Sequence, residues 1–170
     1  MRIRIIEKPP SVDITLREWN NIVKQAWGKV GFLWFKEMRP KHFTRAAYKE
    51  YGYQPRQGEL GTRQLRQRGF RSSYTGQKLR KFGHTNPLVY SGTSLRRSRS
   101  GRITATSKGV RITLPTNALN FRRTAQHPDM AAELRTISET EVRRIELFLK
   151  TYIEHLLRTS GDPRLTVIAA

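Results

Sequence analysis

The sequence contains no cysteine, which excludes disulfides and thiolate metal sites and fits a reducing compartment, or a particle assembled in one. Long apolar runs are missing as well. No stretch reaches the roughly eighteen residues that span a bilayer, and the charged start Met1-Arg2-Ile3-Arg4 leads into no signal-peptide core, so a soluble protein with no membrane partner is expected. The four histidines, at 42, 84, 127 and 155, are isolated from one another, and no His-x-x-x-His or Gly-rich phosphate loop occurs. Carboxylates are scarce where cations are dense: residues 36–123 hold only Glu37, Glu50 and Glu59, so a two-metal nuclease site would have to draw acids from the ends of the chain. Asp129 and Glu133 share a possible helix face, which is weak evidence of a site. Arg80, His84, Arg99 and Tyr90 loosely resemble a recombinase set, a cheap coincidence in so arginine-rich a chain, and Tyr90 beside Leu88 and Val89 reads as a packed ring. No enzyme, no metal and no cofactor is expected.

What the chain has in quantity is positive charge. The net charge is +20, and it is regional: residues 1–35 hold six Lys/Arg against three acids, residues 36–123 hold twenty-one against three, and residues 124–170 hold six against seven. A block this lopsided, richer in Arg than Lys and interleaved with Phe43, Tyr48, Tyr51, Tyr53, Phe70, Tyr74 and Phe82, points to a polyanionic partner, nucleic acid first and an acidic protein surface second. The candidate polyanion-facing residues are Arg56, Arg63, Arg66, Arg68, Arg71, Lys78, Arg80, Lys81, Arg96, Arg97 and Arg99. No helix in residues 53–123 carries a set of side chains suited to reading base edges, so the contacts expected are with phosphate, on duplex DNA and without sequence preference.

A length of 170 residues suggests a single domain, with a basic loop and arm over about 53–101 and a tail over 160–170. The fold class expected is α+β: an antiparallel sheet that includes a 102–114 hairpin, packed against an N-terminal and a C-terminal helix. Residues 2–6 alternate and read as an edge strand. Ser11 or Asp13 can cap a first helix whose apolar positions run from Trp19 to Trp34, with Gly28 and Gly31 weakening its second half by about 1 kcal/mol each. Its three tryptophans could stack bases, but core or subunit packing is the better reading, because most of the charge lies elsewhere. A short helix over 40–51, stopped by Gly52, precedes a stretch, 53–82, with no sustained period and a possible helical turn within 60–68. Residues 102–114 form two alternating strands around a three-residue loop, Ser107-Lys108-Gly109, with Ile103, Ala105, Val110, Ile112 and Leu114 facing inward. Residues 116–130 read as a loop anchored by Leu119 and Phe121. Ser138 and Glu141 form a capping box for a helix with Val142, Ile145, Leu149, Tyr152 and Leu156 on its inner face and Glu146, Lys150 and Glu154 outside. The tail, apolar over 165–168, can pair with a strand of its own chain or of a neighbour.

The stretch that organises the whole is Pro87-Leu88-Val89-Tyr90-Ser91-Gly92, which runs into the cluster Arg96, Arg97 and Arg99. Together with His42-Phe43-Thr44, Ala46-Ala47, Tyr51-Gly52-Tyr53, Pro55-Arg56, Lys78 and Lys81-Phe82-Gly83-His84, it resembles the neck proteins of tailed bacteriophages, the head–tail connector and tail-completion proteins. In these a Pro-Leu-Val-x-[Ser/Thr]-Gly segment precedes the first long strand. The motif positions are His42, Phe43, Tyr51, Tyr53, Pro87, Leu88, Val89, Ser91 and Gly92, and the resemblance covers about residues 39–120. It implies an α+β virion subunit without catalytic activity that forms a hexameric or dodecameric ring of identical copies. Such a ring joins a portal or adaptor protein to tail proteins around double-stranded DNA. The heavy arginine content of 56–81 departs from the family. The rival expectation is a basic nucleic-acid-binding module outside any ring, of a ribonucleoprotein or chromatin-like kind.

Overall fold

The computed structural model describes residues 2–3, 14–54, 69–115 and 129–159. The fold is α+β. In chain order it comprises β1 (Arg2–Ile3), α1 (Leu16–Leu33), α2 (Ala47–Glu50), α3 (Tyr74–Phe82), α4 (Thr93–Arg97), β2 (Arg102–Thr106), β3 (Gly109–Thr113), α5 (Met130–Glu133) and α6 (Glu139–Thr159). The chain divides into two compact units, one of residues 1–36, 101–113 and 137–170, the other of residues 37–100 and 114–136.

In the first unit α1 starts at Thr15, whose hydroxyl accepts the Glu18 amide at 3.3 Å while the Glu18 carboxylate accepts the Thr15 N–H at 3.0 Å. This reciprocal pair satisfies two donors that a bare helix start would leave open. The cap is therefore Thr15 rather than Ser11 or Asp13. Trp19, Val23, Ala26, Trp27 and Val30 follow at helical spacing and are all buried, so the packing reading of the tryptophans holds for Trp19, Trp27 and also Trp34. The helix runs unbroken through both glycines, although they are the residues expected to weaken its second half. The reason is contact: a Cβ on Gly31 would stand 2.7 Å from Cγ2 of both Ile103 and Val110, so glycine lets α1 lie directly on the hairpin. A turn of π-helix, Trp34–Met38, follows α1.

The sheet has the order β1-β3-β2, all antiparallel, with β1 on an edge. Ala105 pairs with Val110 and Thr106 with Gly109, so only Ser107 and Lys108 form the loop and Gly109 is already in β3, at a φ of 147°. This corrects the expected three-residue loop. Val110 and Ile112 are buried, and Ile103 and Ala105 half-buried, on the face that meets α1. Leu114 departs from that face, since it packs against the core of the second unit. Helix α6, entered through the bond from the Glu141 amide to the Ser138 hydroxyl (3.2 Å), packs on α1 through Ile145, Leu149 and Ile153. Val142 is 40 % exposed, because the buried stripe follows a spacing of four residues from Ile145 instead of starting at Val142. Glu146, Lys150 and Glu154 lie exposed as expected, and Glu139 and Arg143 approach to 3.9 Å.

Candidate nucleic-acid interface

The second unit is built from short pieces. The helix expected over 40–51 is in fact a 3-10 turn, Arg39–Phe43, opened by Pro40, and then α2, after which Gly52 takes a φ of 62° and turns the chain. Residues 69–82, expected to be irregular, form a 3-10 turn (Phe70–Ser72) and α3. Ser73 caps α3, accepting the Gly76 amide at 3.1 Å, and Gly83 ends it at a φ of 71°. The turn and the helix touch so closely that a Cβ on Gly76 would lie 1.9 Å from the Phe70 carbonyl oxygen. The arginine arm is also ordered, as α4.

The motif residues come together in a single core. Phe43, Ala47, Tyr51, Tyr53, Leu88, Val89, Met130 and Leu134 form a buried cluster, with Leu95 and Leu114 packed on it. His42, fully buried, stacks on Tyr51 with ring centroids 3.9 Å apart, and its Nδ1 shares a hydrogen bond with the Tyr53 hydroxyl. Desolvation drops the His42 pKa from 6.5 to about 4, so the ring is neutral at pH 7 and behaves as a packing group. Pro87 is buried, and Leu88 sits at a φ of 56°, a left-handed conformation rare for a branched side chain and tolerated here because the side chain is locked in the core. Ser91 is exposed, its hydroxyl 2.9 Å from that of Thr93, and Gly92 leads into α4 at a φ of 80°. The motif positions are thus mostly structural.

The expected cationic face divides three ways. Arg71, Arg80, Lys81, Arg96, Arg97 and Arg99 are exposed. Arg56, Arg63, Arg66 and Arg68 lie outside the described residues, as do Leu119, Phe121, the possible turn within 60–68 and the 160–170 tail. Lys78 does not belong to the face: it is 1 % exposed, and its ammonium donates to the Asn86 carbonyl and lies 5.6 Å from the centre of the Tyr74 ring. Arg39, which the sequence did not single out, is 5 % exposed and donates to the Ser98 hydroxyl, and Ser98 donates to the Leu95 carbonyl, so that α4 is tied down from beneath. Burial and the neighbouring Arg99 lower the Arg39 pKa from its usual value. Between Glu59 and Asp129 the sequence has no Asp or Glu at all, so the exposed cations of residues 69–115 have no carboxylate among their chain neighbours.

An aromatic cluster lies beside these cations. The Tyr90 ring meets Tyr74 at 5.3 Å between centroids and 25° between planes, and Phe82 at 5.0 Å and 73°, while Phe82 stacks on His84 at 6.3 Å. Tyr90 is a packed ring, as expected. Partial burial, and next the charge of Lys78, lower the His84 pKa, against a hydrogen bond with the Tyr90 backbone that raises it.

A shallow pocket of about 230 Å³ is lined by Tyr51, Tyr53, Asp129 and Glu133, among others. Its two carboxylates serve the backbone: Asp129 caps α5 by accepting the Ala131 and Ala132 amides, each at 3.1 Å, and Glu133 accepts the Gln54 amide at 3.2 Å. Among the described residues no group of three His, Cys, Asp or Glu could hold a metal, and no helix is long and apolar enough to cross a membrane. No family model, curated protein or solved structure matches the chain.

Proposed function

We propose that this protein is a non-catalytic assembly subunit whose second unit turns a cationic face to double-stranded DNA, as a ring-forming neck protein between the head and tail of a tailed phage. The observation that carries the reading is the layout of the second unit. The pieces that bear the resemblance, from His42 and Phe43 to Leu88 and Val89, meet in one core, and the chain leaves that core at Gly92 straight into the exposed Arg96, Arg97 and Arg99. A packed base under a cationic arm suits phosphate contact, which holds nucleic acid without reading it.

Two measurements on the full chain test this. Light scattering should report a closed oligomer of identical copies. Duplex affinity should be the same for unrelated sequences and fall steeply with salt, with a slope that loses roughly one unit for each phosphate contact removed. Changing Arg80, Lys81, Arg96 and Arg97 to Ser should flatten that slope while the protein stays folded. An unchanged slope together with failure to join heads to tails would assign these arginines to an acidic partner protein. A monomer that binds DNA would instead favour a basic module outside any ring, and the strong regional charge keeps that second reading in play.

A further inference from the structure

The Tyr74, Phe82, His84 and Tyr90 cluster does more than hold α3 to the following loop. Tyr74 and Phe82 are 43 % and 36 % exposed although both rings also pack on Tyr90, so part of each aromatic side chain is left in water. Eight residues apart on α3, they project to one side of the helix, and Lys81, seven residues from Tyr74, flanks them. Arg80 and Arg71 are exposed on the same helix and on the turn that packs against it. A partner that covers such a patch must offer flat apolar faces and negative charge together, at short intervals. Nucleic-acid strands do so only where the bases are unpaired, since in a duplex each base face is already covered by its neighbours.

We propose that this aromatic and cationic patch is a stacking platform for unpaired stretches of single-stranded DNA, with the rings taking base faces while Lys81 takes phosphate. It rests on the reading that the cationic face meets DNA, and adds that strand separation improves the fit. His84 suits the role, because its ring stacks on Phe82 with centroids 6.3 Å apart and so extends the aromatic cluster.

The test uses the full chain with four probes of equal length: oligothymidylate, a duplex, an abasic strand that keeps the phosphates without bases, and oligouridylate. Oligothymidylate should bind at least about fivefold more tightly than the abasic strand at equal salt. The pair of changes Tyr74→Leu and Phe82→Leu, which keep apolar volume but remove the flat rings, should erase that margin and leave duplex binding unaltered. Tyr74→Trp should keep the margin. Should the Leu variants fail to fold, photocrosslinking of an iodouracil-substituted strand to the unaltered protein decides the matter, with adducts expected on Tyr74, Phe82 or Tyr90. Equal binding of abasic strand and oligothymidylate, a margin that survives both Leu changes, or adducts confined to other residues would each overturn the proposal while duplex binding still supports the cationic-face reading. Loss of all four probes would sink both. Preference for oligouridylate over oligothymidylate would transfer the site to RNA and overturn the assignment to DNA, and capture of an acidic, tyrosine-rich peptide in place of any strand would make the patch a protein docking site.

Discussion

Residues of one chemical kind do unlike things in this chain, and His42, Arg39, Lys78 and Leu88 show why a sequence conceals it. Arg39 and Lys78 count toward the net charge as fully as Arg96 does, yet both are buried and tie backbone or hydroxyl groups together. Nothing in composition separates them, since burial of a long cation depends on partners far off in sequence, as Ser98 is from Arg39. Leu88 lies in an apolar triplet, which fits its burial, but nothing in that order signals its left-handed backbone, which a non-glycine residue rarely adopts. His42 yields a prediction in pH. Its pKa is 6.5 unfolded and about 4 folded, so the unfolded chain binds more protons between those values. Its contribution to stability is therefore complete above pH 6.5, declines as pH falls toward 4, and changes no further below that. Melting midpoints of the unaltered protein and of His42→Gln should converge across this window on acidification. A constant difference would show that the ring does not titrate there.

At the level of elements, legibility followed periodicity. Helices α1 and α6 and the hairpin carry apolar side chains at regular spacing, and all three were placed from the sequence close to their observed bounds. Helix α3 was missed because its buried positions, Thr75, Gly76 and Lys78, are not apolar, so its nine residues show no hydrophobic stripe. The glycines of α1 mislead for a related reason. Intrinsic propensity treats Gly31 as a weak point worth about 1 kcal/mol, whereas the contact with Ile103 and Val110 makes it the place where helix meets sheet. Gly31→Ala should thus destabilise the protein by about 1–3 kcal/mol despite the better helix former, as overpacking does. Gly28→Ala, whose Cβ would lie 3.9 Å from the Ala105 methyl, should be neutral or stabilising. Chemical denaturation of both variants checks the pair, and equal effects would refute the packing account.

For the molecule as a whole, the regional charge was plain in the sequence, while the core of the second unit was not. That core gathers Phe43, Tyr53, Leu88 and Met130 from turns and short helices with no common period, so no regular spacing marks them as neighbours. The charge itself divides unevenly: the second unit holds eighteen Lys/Arg against five acids and the first fifteen against eight. Cations so poorly matched repel one another, as Arg99 already opposes the charge on Arg39. Electrolyte should then act on this protein in two opposed senses. Raising ionic strength from about 0.01 M to 0.15 M shortens the reach of charge from about 30 Å to about 8 Å, which would weaken the proposed contact with nucleic acid but also relieves the strain of like charges within the fold. The melting midpoint of the free protein should climb over that range while DNA affinity drops, and a midpoint that fell with salt would contradict this. Under the proposed reading such a chain is at its least stable alone in dilute buffer, and assembly onto nucleic acid would itself complete its electrostatics.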